Sequence, residues 1–292
     1  MARAPRPIDL VNLVSRRGAV TSTEGLAYGR HPRQRLDIYR PDGTAAAFPE
    51  RPGLPVLIFF YGGSWQMGER RDYRFIGHRF ARLGFLVVVS DYRLYPEIRF
   101  PDFIADAAHA TAWTDRHAAD FGGDPEAIFL AGHSAGAYLA LMLALAPHYL
   151  AEAGFDRQRL AGAIGLAGPY DFLPITGPVY RKIFTTDGDL ADTQPISFAD
   201  ADAPPCLLLA GARDRVVAPA NTASLAERLR AAGATVETKI YPRLGHVGML
   251  LTLLGLPGLA PGVAREIAAF ASFCLGADGR PTDRTRTSDM AR

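Results

Sequence analysis

Cysteine is nearly absent from this 292-residue chain, which carries Cys206 and Cys274 and no others. Two thiols inside apolar segments exclude a disulfide framework and permit a reducing compartment. Charge of one sign is lacking too: 32 basic side chains face 30 acidic ones, for a net +2. No broad field draws such a chain to nucleic acid or to anionic lipid, so small neutral partners fit better. Uninterrupted apolar runs of spanning length are also missing. Residues 247–264 carry no charge, yet Gly255, Pro257, Gly258 and Pro261 interrupt them, and proline inside a helix costs about 3 kcal/mol or more. A short apolar helix, a bend and a second helix are expected there, with no stable membrane insertion. The opening stretch "MARAPRPIDLVNLVSRRGAV" has early positive charge but no signal-like apolar core before Arg16 and Arg17, which gives a cytoplasmic expectation.

What is present suits one large domain. At this length roughly three quarters of the unfolded chain's surface can be buried. Residues 55–61 ("PVLIFFY") form a continuous apolar run of the kind a strand buried on both faces requires. Residues 85–90, 127–132, 206–211 and 235–241 read as further strands, and 160–168 as a weaker one because glycine packs little. An edge hairpin is expected within 24–40, around the turn-prone "GRHPR". Between these runs, 71–83, 102–119, 135–145, 221–232 and 261–273 have helical spacing. Strand and helix alternating in this way predict an α/β fold with a mostly parallel sheet, helices on both faces and an antiparallel hairpin at the start. Such sheets bind ligands beyond the carboxyl ends of their strands.

The stretch "GHSAG", residues 132–136, matches G-x-S-x-G directly after a predicted strand and directly before a predicted helix. A serine between glycines is also common in ordinary turns. The strand–turn–helix context favours a nucleophile instead: there the backbone is strained, the hydroxyl projects from the carboxyl edge of the sheet, and the Ala135 amide at the helix N-terminus can face a developing negative oxygen. Ser134 then needs a base to take its proton, and a carboxylate to hold that base in the right tautomer.

In the order serine, acid, histidine, Asp214 follows the strand at 206–211 and His246 follows the one at 235–241. Of the other histidines, His78, His109 and His117 fall in predicted helices, His31 in the hairpin turn, and His148 after the serine's helix. His133 adjoins Ser134 but points away in a sharp turn, and is assigned local packing. Asp187, Asp189, Asp192, Asp200 and Asp202 lie in a loop-like segment and read as solvated charge. The competing role for Asp214 is an ion pair with Arg213 or Arg215.

By these residues, together with "YGGSW" (61–65), "DYRLYPE" (91–97) and "FGGDPEAIFLAG" (121–132), the chain resembles the α/β-hydrolase superfamily. The likeness is to its compact esterases related to hormone-sensitive lipase, feruloyl esterases and isoprenylcysteine methylesterases. It runs from the hairpin to His246 and is densest over 55–146. An α/β-hydrolase domain is expected over 24–275, after an N-terminal extension (1–23); the length of 169–203 allows only a short cap there, and the polar stretch 276–292, with few apolar anchors, reads as a disordered tail. The resemblance implies an oxyanion hole from the amides of Gly62, Gly63 and Ala135. Tyr61 stands where the family has histidine, and its hydroxyl is expected to bond to backbone in place of imidazole. Arg93 and Glu97 are expected to pair behind the site.

The expectation is a serine hydrolase cleaving carboxylic esters of small to medium acyl groups through an acyl-enzyme, with Ser134, Asp214 and His246 as the triad and neither metal nor organic cofactor. Trp65, Phe172 and Tyr180 are candidate substrate contacts. Leu173, Ile175, Val179, Ile183 and Phe184 are the remaining candidates for an acyl-pocket lining, and ordinary packing beneath loops is their alternative. An arylformamidase-type amide hydrolase and a non-catalytic ligand-binding protein on the same scaffold are the rival functions. The partner is a small ester, and exposed sheet edges leave room for a homodimer.

Overall fold

A computed structural model of the protein describes residues 12, 19–43, 48, 51–254 and 262–276. Eight strands form one sheet in the order β1-β2-β4-β3-β5-β6-β7-β8. β1 (Val20–Ala27) and β2 (Arg35–Pro41) are the antiparallel start, and β2 also runs antiparallel to β4 (Leu86–Ser90). β3 (Leu54–Phe60), β5 (Gly123–His133), β6 (Leu160–Leu166), β7 (Cys206–Gly211) and β8 (Val236–Tyr241) complete a parallel sheet with β4. β1 begins at Val20, upstream of the expected hairpin. Its residues are mostly exposed, so no apolar run announces them.

The continuous apolar strands are the central ones. Val56, Leu57, Ile58, Phe60 and Leu86 to Val88 have no exposed surface, as two-sided burial requires. The helices are α1 (Arg74–Ala81), α2 (Asp102–His117), α3 (Ala135–Leu145), α4 (Pro147–Glu152), α5 (Pro178–Ile183), α6 (Ala220–Ala231), α7 (His246–Leu251) and α8 (Gly262–Leu275). α3 is apolar on every side and buried along its whole length, which fits a helix with no solvent face. Short α4 and α5 escaped the sequence reading because a turn or two of helix has no periodicity to detect.

Between β6 and β7, α5 and two short 3₁₀ turns (Leu190–Thr193 and Pro195–Phe198) make a small cap. The uncharged stretch after His246 divides as expected into α7 and α8. Residues 255–261, where the bend is expected, lie outside the described residues, as do 277–292 of the expected tail. Among the described residues no helix is long and apolar enough to cross a membrane. Cys206 and Cys274 are buried free thiols.

Candidate active site

β5 ends at His133 and α3 starts at Ala135, so Ser134 alone makes the turn. Its φ of 55° and ψ of −122° are strained for a residue with a side chain. The glycines on either side permit the turn by close approach. A Cβ on Gly136 would stand 1.9 Å from the Phe60 carbonyl oxygen, and one on Gly132 would stand 2.2 Å from the Gly136 backbone. The Ser134 amide donates to the Leu166 carbonyl at 2.9 Å, which fixes the turn to the neighbouring strand.

Asp214 and His246 come from the loops after β7 and β8, as chain order predicted. His246 Nδ1 lies 2.8 Å from Asp214 Oδ2. A carboxylate can only accept, so Nδ1 carries a proton, and in the neutral ring the lone pair is left on Nε2. The second Asp214 oxygen accepts from the amides of Val216 and Val217 at 2.9 Å each. Both oxygens are thus engaged, and the pairing with Arg213 or Arg215 considered above does not form. No hydrogen bond joins Ser134 Oγ to His246; hydrogen bonds of this kind often tighten only with substrate bound. The seryl turn and the His246 loop nonetheless meet at His133. Its ring centroid is 4.7 Å from that of His246, and its Nε2 donates to the His246 carbonyl at 3.0 Å. His133 therefore does more than the local packing assigned to it. Burial, with the adjacent imidazole of His246 second, pushes it down to about 4. Its neutrality leaves room for a positive charge on His246.

The loop after β3 passes against this turn. A Cβ on Gly62 would lie 3.0 Å from Ser134 Cβ, so only glycine lets the backbone come so near. Gly63 has φ +137°, and its carbonyl accepts from the amides of Gln66 and Met67. Ser64 and Trp65 follow at φ 53° and 58°, two consecutive side-chain-bearing residues in the left-handed region.

Tyr61 lies behind that loop, and here the expectation needs correction. Its hydroxyl donates to Asp91 Oδ1 at 2.8 Å, not to backbone, and accepts from Arg33 Nη2 at 2.8 Å. Its ring stacks between Tyr73 and Tyr92. Burial first, and the Asp91 carboxylate second, hold the hydroxyl well above the usual tyrosine range, so it stays a donor. Arg33 also reaches the carbonyls of Gly68 and Tyr92, and the Arg70 guanidinium bridges Asp91 and Asp37. Sequence reasoning missed both arginines, because nothing local marks a partner so far along the chain.

Arg93 and Glu97 do not pair either. Arg93 meets the buried carboxylate of Asp106 at 2.8 Å, and Glu97 meets His31 at 2.7 Å. A carboxylate as buried as Asp106 requires a cation more than exposed Glu97 does. In the cap segment, Asp200 pairs with Arg157 and Asp189 accepts from the Ala191 amide, so neither is merely solvated.

Beside Ser134 opens a cavity of about 160 Å³. Ser64, Trp65, Phe172, Ile175, Tyr180 and Val217 are among its walls. All three candidate substrate contacts, Trp65, Phe172 and Tyr180, thus border it. Ile183 and Phe184 are buried behind the wall, whereas Leu173 and Val179 turn outward to solvent, against expectation. Trp65 is held edge-on against Tyr138 and Phe184, and the Tyr180 hydroxyl lies 3.3 Å from Ser64 Oγ, tying the cap to the glycine loop. Ser64, Pro169, Thr176, Val216 and Val217 also border the cavity and had no sequence signal beyond neighbouring a motif. Among the described residues no cluster of three or more His, Cys, Asp or Glu side chains is arranged to hold a metal ion.

A seryl turn after the fifth strand, with an Asp–His pair delivered by the loops after the last two, is the arrangement of the α/β-hydrolase fold. Esterase B from Lactobacillus Rhamnosis has that fold and superposes with a TM-score of 0.73–0.74 at 22% identity, covering 90% of this chain and 89% of that one. Residues 36–229, more than half of the chain, match the BD-FAE family, and the chain belongs to it. Among curated relatives, a probable carboxylic ester hydrolase, LipM of Mycobacterium tuberculosis, is 31% identical over 254 residues, covering 79% of this chain and 56% of the relative. A probable isoprenylcysteine alpha-carbonyl methylesterase of Arabidopsis thaliana is 26% identical over 288 residues, covering 89% and 58%. The chain thus spans little more than half the length of these curated relatives.

Proposed function

We propose that the protein is a serine hydrolase of carboxylic esters with small to medium acyl groups. The observation that carries the reading is the strained Ser134 turn opening on a cavity, beside an imidazole whose Nδ1 proton is held by Asp214. Similarity to a probable carboxylic ester hydrolase supports the same chemistry.

In the acylation step Ser134 Oγ attacks the ester carbonyl carbon while its proton passes to His246 Nε2. The carbonyl oxygen becomes an oxyanion, received by the amides of Gly62, Gly63 and Ala135, and a donor of this kind contributes about 3 kcal/mol to the transition state. The tetrahedral intermediate collapses as His246 returns the proton to the departing alkoxide, leaving an acyl-serine. Water, deprotonated by the same imidazole, then releases the acid. Asp214, its other oxygen held by two amides, keeps the ring oriented throughout.

A cavity of about 160 Å³ is small beside the roughly 300–1,000 Å³ of pockets for drug-sized ligands. It suits an acyl chain of a few carbons, with the alcohol part left outside. The test is fluorophosphonate labelling followed by peptide mass analysis, alongside turnover of 4-nitrophenyl esters of increasing acyl length. The expected result is one adduct on Ser134, none on Ser134→Ala, and fastest turnover of short chains. An unlabelled wild-type protein, or a Ser134→Ala variant with full turnover, overturns the proposal.

A further inference from the structure

At one end of the sheet β8 pairs, among the described residues, with β7 alone, and its register there is unbroken from Val236 to Tyr241. The opposite edge differs: the register of β1 shifts between Thr23 and Leu26, a break of the kind that blunts an edge. Every residue of β8 from Glu237 to Ile240 is exposed, the Ile240 side chain included. The Cys206 amide donates to the Thr235 carbonyl and the Ala212 amide to the Tyr241 carbonyl, so the odd-numbered residues of β8 turn their backbone groups towards β7. The N–H and C=O groups of Val236, Thr238 and Ile240 therefore point away from the sheet, and among the described residues no strand receives them.

We infer that this edge receives the β8 strand of a second copy of the chain, antiparallel, about a two-fold axis through Thr238. The pairing does not depend on the esterase reading. An antiparallel ladder sets residues with outward backbone groups opposite one another, so even-numbered residues face even-numbered ones and the axis passes through a residue, not between two. An axis at Glu237 would set that carboxylate against its own copy, and an axis at Lys239 would do the same to the ammonium group. The axis at Thr238 places Glu237 opposite Lys239 twice and Val236 opposite Ile240 twice, with the longest overlap of the three. Opposite charges directly across a ladder stabilise it and like charges destabilise it. Glu237 has no ion-pair partner among the described residues, while Lys239 meets Glu266 of α8 and can serve both carboxylates. Beside Thr238 and Ile240 runs an open groove of about 630 Å³, walled on the α6 side by Ala223, Ala226 and Ala231 among others, whose small side chains leave room for the copy. A row of lysines would keep copies apart, whereas Glu237, Thr238 and Lys239 in that order complement themselves. A strand from an unrelated protein would require no such self-matching order.

Sedimentation equilibrium of the full chain tests the pairing. The wild type is expected at twice the chain mass of 31.5 kDa. Glu237→Lys alone, or Lys239→Glu alone, turns both cross-strand charge pairs repulsive and should weaken the dimer on the order of tenfold or more. Mixed in equal amounts the two variants should recover it, because each supplies the charge that the other lacks. Thr238→Pro removes an outward N–H and no bond to β7, so it should stay folded by circular dichroism and sediment as a monomer. A wild type at the single-chain mass throughout the concentration range overturns the inference and leaves the edge to a strand of another protein. A mixture no more dimeric than its components, or a dimer that Thr238→Pro does not split, places the contact elsewhere and overturns it too. Fluorophosphonate labelling of the same samples keeps the two readings apart: a monomer that labels at Ser134 removes only the dimer, and a dimer that does not label removes only the esterase reading.

Discussion

The Nε2 of His133 donates to the backbone carbonyl of His246 at 3.0 Å, so the residue just before the seryl turn holds the loop of the candidate base in place. The same ring borders Gly62, where an added Cβ would approach its Nδ1 to 3.2 Å. One buried imidazole therefore touches the glycine loop, the seryl turn and the base loop, and its neutrality is part of the packing.

Protonation of His133 should destabilise the fold. Its value falls from the ordinary 6.5 to about 4, so the unfolded chain takes up the proton first. The contribution is full above 6.5 and is lost as pH drops through this window towards 4. Between pH 7 and pH 5 the loss amounts to roughly 2 kcal/mol. His133→Phe, which keeps a ring and removes the titration, should show a correspondingly smaller decline in urea-unfolding free energy over that range. It should also slow turnover by about tenfold through a looser His246 loop. An equal decline in both proteins would show that the buried ring does not titrate in this way.

Asp214→Asn tests the orientation of the base. If the amides of Val216 and Val217 keep the side-chain oxygen, the new NH₂ faces His246 Nδ1 and forces that nitrogen to accept. Nε2 then carries the proton and cannot take one from Ser134. Turnover should fall on the order of 10⁴-fold with little change in KM. A variant that retained most of its turnover would remove Asp214 from the proposed mechanism.

Much of this was legible in the sequence, and the reasons are local. Strands β3, β4, β5 and β7 announced themselves as apolar runs because burial on both faces leaves no room for alternation, and glycine-rich β6 did so more weakly. The Ser134 turn was legible because its two glycines are demanded by backbone contacts within a few residues of the motif and with β3. Asp214 and His246 followed from chain order. What escaped are pairings that only the folded chain creates. Tyr61 finds its partners in Arg33 and Asp91, Arg93 finds Asp106, and His133 finds a carbonyl far downstream. No spacing rule links such residues. The outward turn of Leu173 and Val179 was equally hidden, since an apolar side chain in a short cap has no periodicity to say which way it points.

The support behind the glycine loop should be costly to break. Arg70 is the shared cation of Asp37 and Asp91, both buried, and burial already raises the Asp37 carboxyl. Arg70→Met would leave two carboxylates without that cation, a loss of about 3–5 kcal/mol. Tyr61→Phe removes only the hydroxyl shared by Asp91 and Arg33, which places its cost nearer 1–3 kcal/mol. Denaturant melts of the two variants should rank them in that order. Tyr61→Phe should additionally depress kcat, because the same network anchors the chain on both sides of Gly62 and Gly63. The reverse ranking would mean that Arg70 contributes less than its two contacts imply.

Acyl selectivity should be set by the aromatic wall. Phe172 borders the cavity and packs on Phe184 at a centroid distance of 5.2 Å, while its amide donates to Gln194. The backbone bond does not depend on the ring, so Phe172→Ala enlarges the cavity without releasing the cap. Each additional methylene buried there is worth about 0.8 kcal/mol, close to a fourfold gain in kcat/KM per carbon. The preferred chain in a 4-nitrophenyl ester series should therefore shift upward by one to several carbons, with the shortest ester slowed as its acyl group loses contacts. An unchanged chain-length profile would place the acyl group elsewhere and leave this cavity to the alcohol.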